Sequence, residues 1–283
     1  MVSTGNSVGI SWKVANDMNE LSLREIQLEE VKLLDSLSSF FEQFGMRWSL
    51  AYGTMLGAVR HKGFIPWDDD LDIMMPQPDY ERLLSMKDKL PDGTGLMSAQ
   101  NSNLVTSFSK FVNKSIRMQE PLYEGIEEEF LWIDIFPLYG VHGNSRQDIR
   151  LKRQINRLTK RARHVDLNYS EDTMLKGVIR NLYRAVMTDG GRLNKKVDAE
   201  IQELISTTSY QNATYLTSFL DEMPQVNLFP KSECEKTESM EFEGRSFPVI
   251  SCWDCYLREM YGEYMQLPPE NERIGHHART WRV

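Results

Sequence analysis

Residues 51–73 read AYGTMLGAVRHKGFIPWDDDLDI, and the fold is decided there. Met46 to Ala51 has the look of a short strand. Gly53 to Arg60 follows as a small-residue turn opening a short helix. Such a turn presents backbone N–H groups that hold phosphate, so Gly53 and Thr54 are candidate phosphate contacts. Phe64 to Trp67 then leads into Asp68–Met74, where acidic and apolar residues alternate as in a half-buried strand. On a strand, Asp68, Asp70 and Asp72 share one face. Like charges at that spacing destabilise a fold unless a cation neutralises them. Magnesium takes oxygen ligands and keeps waters and substrate phosphates. A solvated acidic turn is the alternative reading. Trp67, Leu71, Ile73 and Met74 argue against it, because they carry the run into a core. A calcium loop is excluded: its glycine would be Ile73 and its closing glutamate Asp79.

Downstream, Leu131–Phe136 is an apolar strand interrupted by Asp134, where a carboxylate is costly without a partner. Asp134 is the candidate third carboxylate of a metal site. Strand, Gly-Thr turn, helix, Asp-x-Asp strand and a lone aspartate on a later strand together resemble the nucleotidyltransferase fold of the polymerase-β type.

The elements around this centre follow from local pattern. Ser22 and Glu25 form a capping box ahead of a helix whose apolar face is Ile26, Leu33, Leu37, Phe40 and Phe44, with Leu21 and Ile26 as the staple and Gly45 at the end. Helices are expected over Tyr80–Lys89, Gln147–Val165, Asp172–Met187 (closed by Gly190 and Gly191) and Leu193–Ile205. Strands are expected over Val105–Val112 and Phe130–Phe136, and a hairpin over Glu241–Val249 around Gly244. A second capping box, Ser251 with Asp254, opens a helix carrying Trp253, Tyr256, Leu257, Met260, Tyr261 and Tyr264 on one face, stopped by Pro268 and Pro269. Strands gather in the first half of the chain and helices in the second. The expected class is α+β, a mixed sheet with flanking helices and helical elaborations. The expected organisation is a flexible segment over 1–20, a catalytic core over 21–140, and a mainly helical region over 141–283 completing the same domain.

Composition sets outer bounds. The net charge of −8 opposes a surface that grips nucleic acid, so no nucleic-acid partner is expected. Three cysteines cannot build a disulfide framework, and neither a leader nor an 18-residue apolar run is visible, so a cytoplasmic setting is expected. Cys252 and Cys255 form a single CxxC. With Cys234, His276 or His277 it would make a zinc site; alone it reads as two positions of a capped helix, and zinc is not expected. No P-loop and no dinucleotide fingerprint is present, so no organic cofactor is expected. On helix 146–164, Arg146, Arg150, Arg153, Arg157, Lys160 and Arg161 share one face, opposite Leu151, Ile155, Leu158 and Ala162. This is a core-packed helix with a basic face suited to solvent or to an anionic membrane or glycan surface.

The run over 51–73 is similar to the signature of the LicD family of phosphocholine transferases and the more distant fukutin-like proteins. Tyr80–Arg82, Ser109–Phe111, the Asp134 strand, Phe242–Arg245, Tyr261–Gly262, Leu267–Pro269 and His276–His277 extend the resemblance over roughly residues 22–278. It implies transfer of a phospho-alcohol, phosphocholine foremost, from a CDP-linked donor to a sugar hydroxyl of a cell-surface glycan, with CMP leaving. The glycan would be a teichoic acid or lipopolysaccharide intermediate, lipid-linked, met at the inner membrane face. By matching positions, Asp70, Asp72 and Asp134 are catalytic and hold Mg2+, or Mn2+ in its place, with Asp68 as a further ligand. Gly53, Thr54, Arg60, His61, Lys62 and Lys110 face donor phosphate. Ribitol-phosphate and glycerol-phosphate transfer, a nucleotidyltransferase releasing pyrophosphate, and a nucleotide- or glycan-binding scaffold are the alternatives.

Overall fold

The computed structural model describes residues 20–98, 101–102, 104, 106–119, 129–143, 146–166, 193–221, 226–273, 275 and 279–283. It opens with helix α1, Leu23–Phe44. Ser22 and Glu25 make both reciprocal bonds of the capping box, and Gly45 closes the helix in the left-handed region at φ 60°. Leu21 and Ile26 are buried in one cluster, as a staple requires.

Strand β1 is Ser49–Leu50, and helix α2 runs Tyr52–His61. Gly53 and Thr54 therefore lie in the first turn of the helix rather than in a turn before it. Strand β2 is Asp72–Pro76, four residues later than the alternation suggests. Asp68 N–H donates to Ile65 O at 2.9 Å, which folds the chain at Pro66 into a turn. Asp68 to Leu71 form an irregular approach, and only Asp72 of the acidic run is in the ladder. Helix α3, Gln77–Ser85, starts earlier than expected because Pro78 suits the first turn; a single 3-10 turn, Lys87–Lys89, follows. Next come β3, Thr94–Met97; β4, Ser109–Gln119; and β5, Phe130–Val141. The expected Val105–Val112 strand is thus displaced towards the C-terminus.

Helices α4, Arg146–Asp166, and α5, Leu193–Ser206, hold the places expected of them. Asp172–Met187, Gly190, Gly191, His276, His277 and the first nineteen residues fall outside the described residues. Beyond α5 there is more strand than the sequence suggests. The elements are β6, Tyr215–Thr217; β7, Phe229–Pro230; the short helix α6, Lys231–Cys234; the hairpin β8, Thr237–Phe242, with β9, Arg245–Ile250; helix α7, Trp253–Tyr261; and β10, Arg279–Arg282. The second capping box does not form. Ser251 Oγ donates instead to the Glu233 carboxylate at 2.6 Å, and Asp254 accepts from Tyr264 and Arg258. Helix α7 ends at Gly262, φ 65°, well before the prolines.

Among the described residues one eight-stranded mixed sheet has the path β1-β2-β5-β4-β10, with β3 on β4 and β6-β7 on the far half of β5. Only β2 and β5 pair in parallel, and their register sets Asp72 opposite Asp134. The fold class is α+β, as read from the sequence. Leu131, Ile133 and Ile135 place β5 in the centre of the core, and α1 lays Val31, Leu34, Leu37 and Phe41 into it.

Candidate active site

The parallel register builds the site. Asp72 and Asp134 are directly opposed on β2 and β5, and Lys110 of β4 is directly opposed to Asp134. Opposed residues project from the same side of a sheet. Asp72, Asp134 and Lys110 therefore form a row across three strands. Lys110 is buried, its ammonium 3.6 Å from the centroid of the Trp132 ring. That contact lets a desolvated cation stand beside Asp134.

Helix α2 closes over this row. Thr54 Oγ1 accepts from the Asp72 N–H at 2.8 Å and is itself buried. Thr54 thus fixes the start of β2. The Gly53 N–H donates to the Asp72 carboxylate. A Cβ on Gly53 would lie 2.9 Å from Asp68 Oδ2, so a side chain there would push the Asp68 carboxylate from its place against the helix. In the middle of α2 the limit is backbone, since a side chain on Gly57 would strike the Gly63 carbonyl. Glu243, at the hairpin tip, accepts from the Phe64 N–H at 3.2 Å and pairs with Arg24 at 2.6 Å, clamping that loop.

Charge repulsion is built in. Burial first, then Asp70, Asp134 and Asp68, hold the Asp72 carboxyl well above the ordinary carboxylate range; the Gly53 N–H works against them. A residue that the sequence reading passed over, Glu30 of α1, shares this field. It is 1% exposed, and burial followed by Asp70, Asp69, Asp68 and Asp134 raises its carboxyl likewise. Tyr261 of α7, 40% exposed as a whole, borders the same group: loss of water around its hydroxyl, then Asp72, Asp68 and Asp70, push that hydroxyl up.

The basic candidates divide. Arg60 donates to the carbonyls of Tyr264 at 3.0 Å and Gln266 at 3.4 Å, and to His61 Nε2 at 3.0 Å. Arg60 adjoins Tyr261 and so stands at the rim of the site. Burial, then Arg60, lowers the His61 imidazole. Lys62 is exposed and pairs with Glu241 at 3.2 Å, away from the carboxylates. Lys110 alone of the four stands in the aspartate row.

The donor set is carboxylate oxygen, the chemistry of a hard divalent cation. Among the described residues neither carboxylate oxygen of buried Glu30 has a hydrogen-bond partner. Among the described residues no three His, Cys, Asp or Glu side chains are already closed onto one point. Asp70, Asp72 and Asp134 are the residues that could hold such a cation, with water and substrate phosphate completing its shell. The cysteines are arranged differently from a CxxC pair. Buried Cys234 hydrogen-bonds with half-buried Cys252, raising the Cys234 thiol and lowering that of Cys252, while Cys255 is exposed.

A second polar network enters from α4. Tyr52, strained at φ 39°, donates its hydroxyl to Asp221 Oδ2 at 3.0 Å, and its N–H to the Tyr256 hydroxyl at 3.2 Å. Asp221 pairs with Lys152 of α4, whose side chain is fully buried. On its outer side α4 exposes Arg146, Arg150, Arg153, Arg157 and Lys160. Leu151 and Ile155 are buried beneath, as the period requires. No helix among the described residues is long and apolar enough to cross a membrane.

Residues 45–166 match the family described as LicD/FKTN/FKRP, nucleotidyltransferase domain. A lipopolysaccharide cholinephosphotransferase LicD of Haemophilus influenzae is 28% identical over 279 residues, spanning 93% of this chain and 98% of that protein.

Proposed function

We infer, from the LicD-type nucleotidyltransferase domain at residues 45–166, that this chain is a transferase moving phosphocholine from a CDP-linked donor to a sugar hydroxyl of a glycan intermediate. The observation that carries the reading is the Asp72–Asp134 register, with Asp68 and Asp70 beside it under the first turn of α2. The named activity of the Haemophilus relative supports the choline headgroup.

Asp70, Asp72 and Asp134 would hold Mg2+ or Mn2+, with Asp68 at their side. When bound, the cation supplies neutralisation of the donor phosphate oxygens. Asp134 takes the proton of the attacking sugar hydroxyl, with Lys110 opposite it across the strand. The sugar oxygen bonds to the phosphorus of phosphocholine, the bond from that phosphorus to the CMP oxygen breaks, and CMP leaves. Gly53 orients Asp72 through its N–H, and Arg60 lends positive charge at the rim. The exposed arginines of α4 suit a lipid-linked acceptor at the cytoplasmic membrane face.

The test is CMP release by purified protein from CDP-choline, CDP-ribitol and CDP-glycerol, with a membrane glycan extract, in magnesium and in EDTA. Release from CDP-choline that needs the metal and is lost in Asp70→Asn is the expected result. Release from another donor would rename the transferred group. Pyrophosphate from an NTP, with no CMP from any donor, would overturn transfer in favour of nucleotidylation.

A further inference from the structure

Helix α1 turns an apolar stripe to the core, with Ile26, Val31, Leu34, Leu37 and Phe41 all buried. Glu30 lies inside that stripe. An unpartnered carboxylate there is costly, and the helix pattern would accept a leucine. Neither Glu30 oxygen meets a hydrogen-bond donor among the described residues. Its surroundings are instead the acidic turn and β5: Asp70, Asp69, Asp68 and Asp134 are all near enough for their charge to act on it. One turn earlier on the same helix, buried Gln27 donates Nε2 to the Asp68 carbonyl at 2.9 Å. The two buried polar residues of α1 thus address one segment, Gln27 its backbone and Glu30 its carboxylates.

We propose that Glu30 is a member of the cation site, a positioning carboxylate contributed by α1 beside the acidic turn. The inference rests on the reading of Asp70, Asp72 and Asp134 as cation ligands. It makes α1 part of the active site: Gln27 fixes the height of the acidic turn, and Glu30 offers it a buried carboxylate with no hydrogen-bond donor among the described residues. A Glu30 that served packing alone would be replaceable by its uncharged isostere with no consequence for the cation.

The experiment is Mn2+ titration of the full chain, followed by the paramagnetic resonance of free Mn2+, on the parent, Glu30→Gln and Glu30→Met, with thermal melts of each with and without Mn2+. The expected result is that Glu30→Gln melts no lower than the parent without cation and binds Mn2+ about 10- to 100-fold more weakly, the range for residues that support metal ligands. Glu30→Met, of similar volume, gives the same weakening should the glutamine variant fold poorly. Mn2+ binding by either folded variant within about twofold of the parent would overturn the inference and leave the aspartate site standing. A parent that binds no Mn2+ would overturn both, so the two failures are told apart by the parent titration.

Discussion

Replacing Lys152 by methionine removes one ammonium from the centre of the network that holds the start of α2. Lys152 Nζ donates to the carbonyls of Ser218 at 3.1 Å, Phe219 at 3.2 Å and Asp221 at 2.8 Å, and pairs with the Asp221 carboxylate. Burial lowers the lysine, and Asp221 opposes that lowering. Breaking a buried pair by removing one partner costs about 3–5 kcal/mol, because the other charge is stranded. Tyr52 still donates to Asp221 in the variant, which points to the lower end, about 3 kcal/mol. In a chain of this size each kcal/mol moves the midpoint by about 2–4 °C, so a fall of about 6–12 °C is expected. The double variant Lys152→Met with Asp221→Asn removes both charges and should recover more than half of the loss. Differential scanning calorimetry of parent, single and double variants measures this. A single variant within about 2 °C of the parent, or a double no better than the single, would refute the account of a charged pair keyed to Tyr52.

Gly53→Ala puts a Cβ 2.9 Å from Asp68 Oδ2; the protein should fold, with CMP release down about tenfold or more, and unchanged release would show that the helix and the acidic turn have slack. Glu243 is held below its ordinary value of 4.5, first by the hydrogen bond from Arg24, then against burial by the Phe64 N–H. A depressed carboxyl contributes stability above its unfolded value and loses it as pH falls through the folded one. The melting-point gap between the parent and Glu243→Gln should therefore be full at neutral pH and close below 4.5; a gap independent of pH would sink the assignment. Changing Arg146, Arg150, Arg153 and Arg157 together to glutamine removes about 1 kcal/mol of attraction to an anionic membrane per residue, about three decades of partition in all. Flotation with phosphatidylserine vesicles should be lost at unchanged melting temperature, and retained flotation would remove α4 as the membrane face.

What the sequence reveals depends on how local the competing interactions are. The capping box of α1 is legible because Ser22 and Glu25 satisfy each other within one turn. The same residue pattern at Ser251 and Asp254 misleads, because Glu233 captures the serine and Tyr264 the aspartate. The acidic run announces its chemistry but not its shape: alternation suggests a strand from Asp68, whereas Pro66 and the Ile65–Asp68 turn delay the ladder to Asp72. Lys110 stands out from the other basic candidates only through strand register, which no local signal carries. Glu30 did leave a signal. It sits four residues after Ile26 and four before Leu34, a charge where the helical period calls for an apolar side chain.

The contiguity of residues 51–73 has a physical reason. Helix α2, the loop behind it and the start of β2 close on themselves: Thr54 holds the Asp72 N–H, Gly53 holds its carboxylate, and Gly57 receives the Gly63 carbonyl. A unit bound by its own backbone tolerates little change at these positions, and all of its parts lie within one short stretch of chain. The rest of the site arrives from a distance, Asp134 and Lys110 by strand pairing, Glu30 by helix packing, and the Lys152–Asp221 pair through Tyr52. Substitution inside the unit should therefore disturb cation and donor geometry first and stability second. Substitution at the distant Lys152–Asp221 pair should do the reverse, and Glu30→Gln should weaken the cation without lowering the melting temperature.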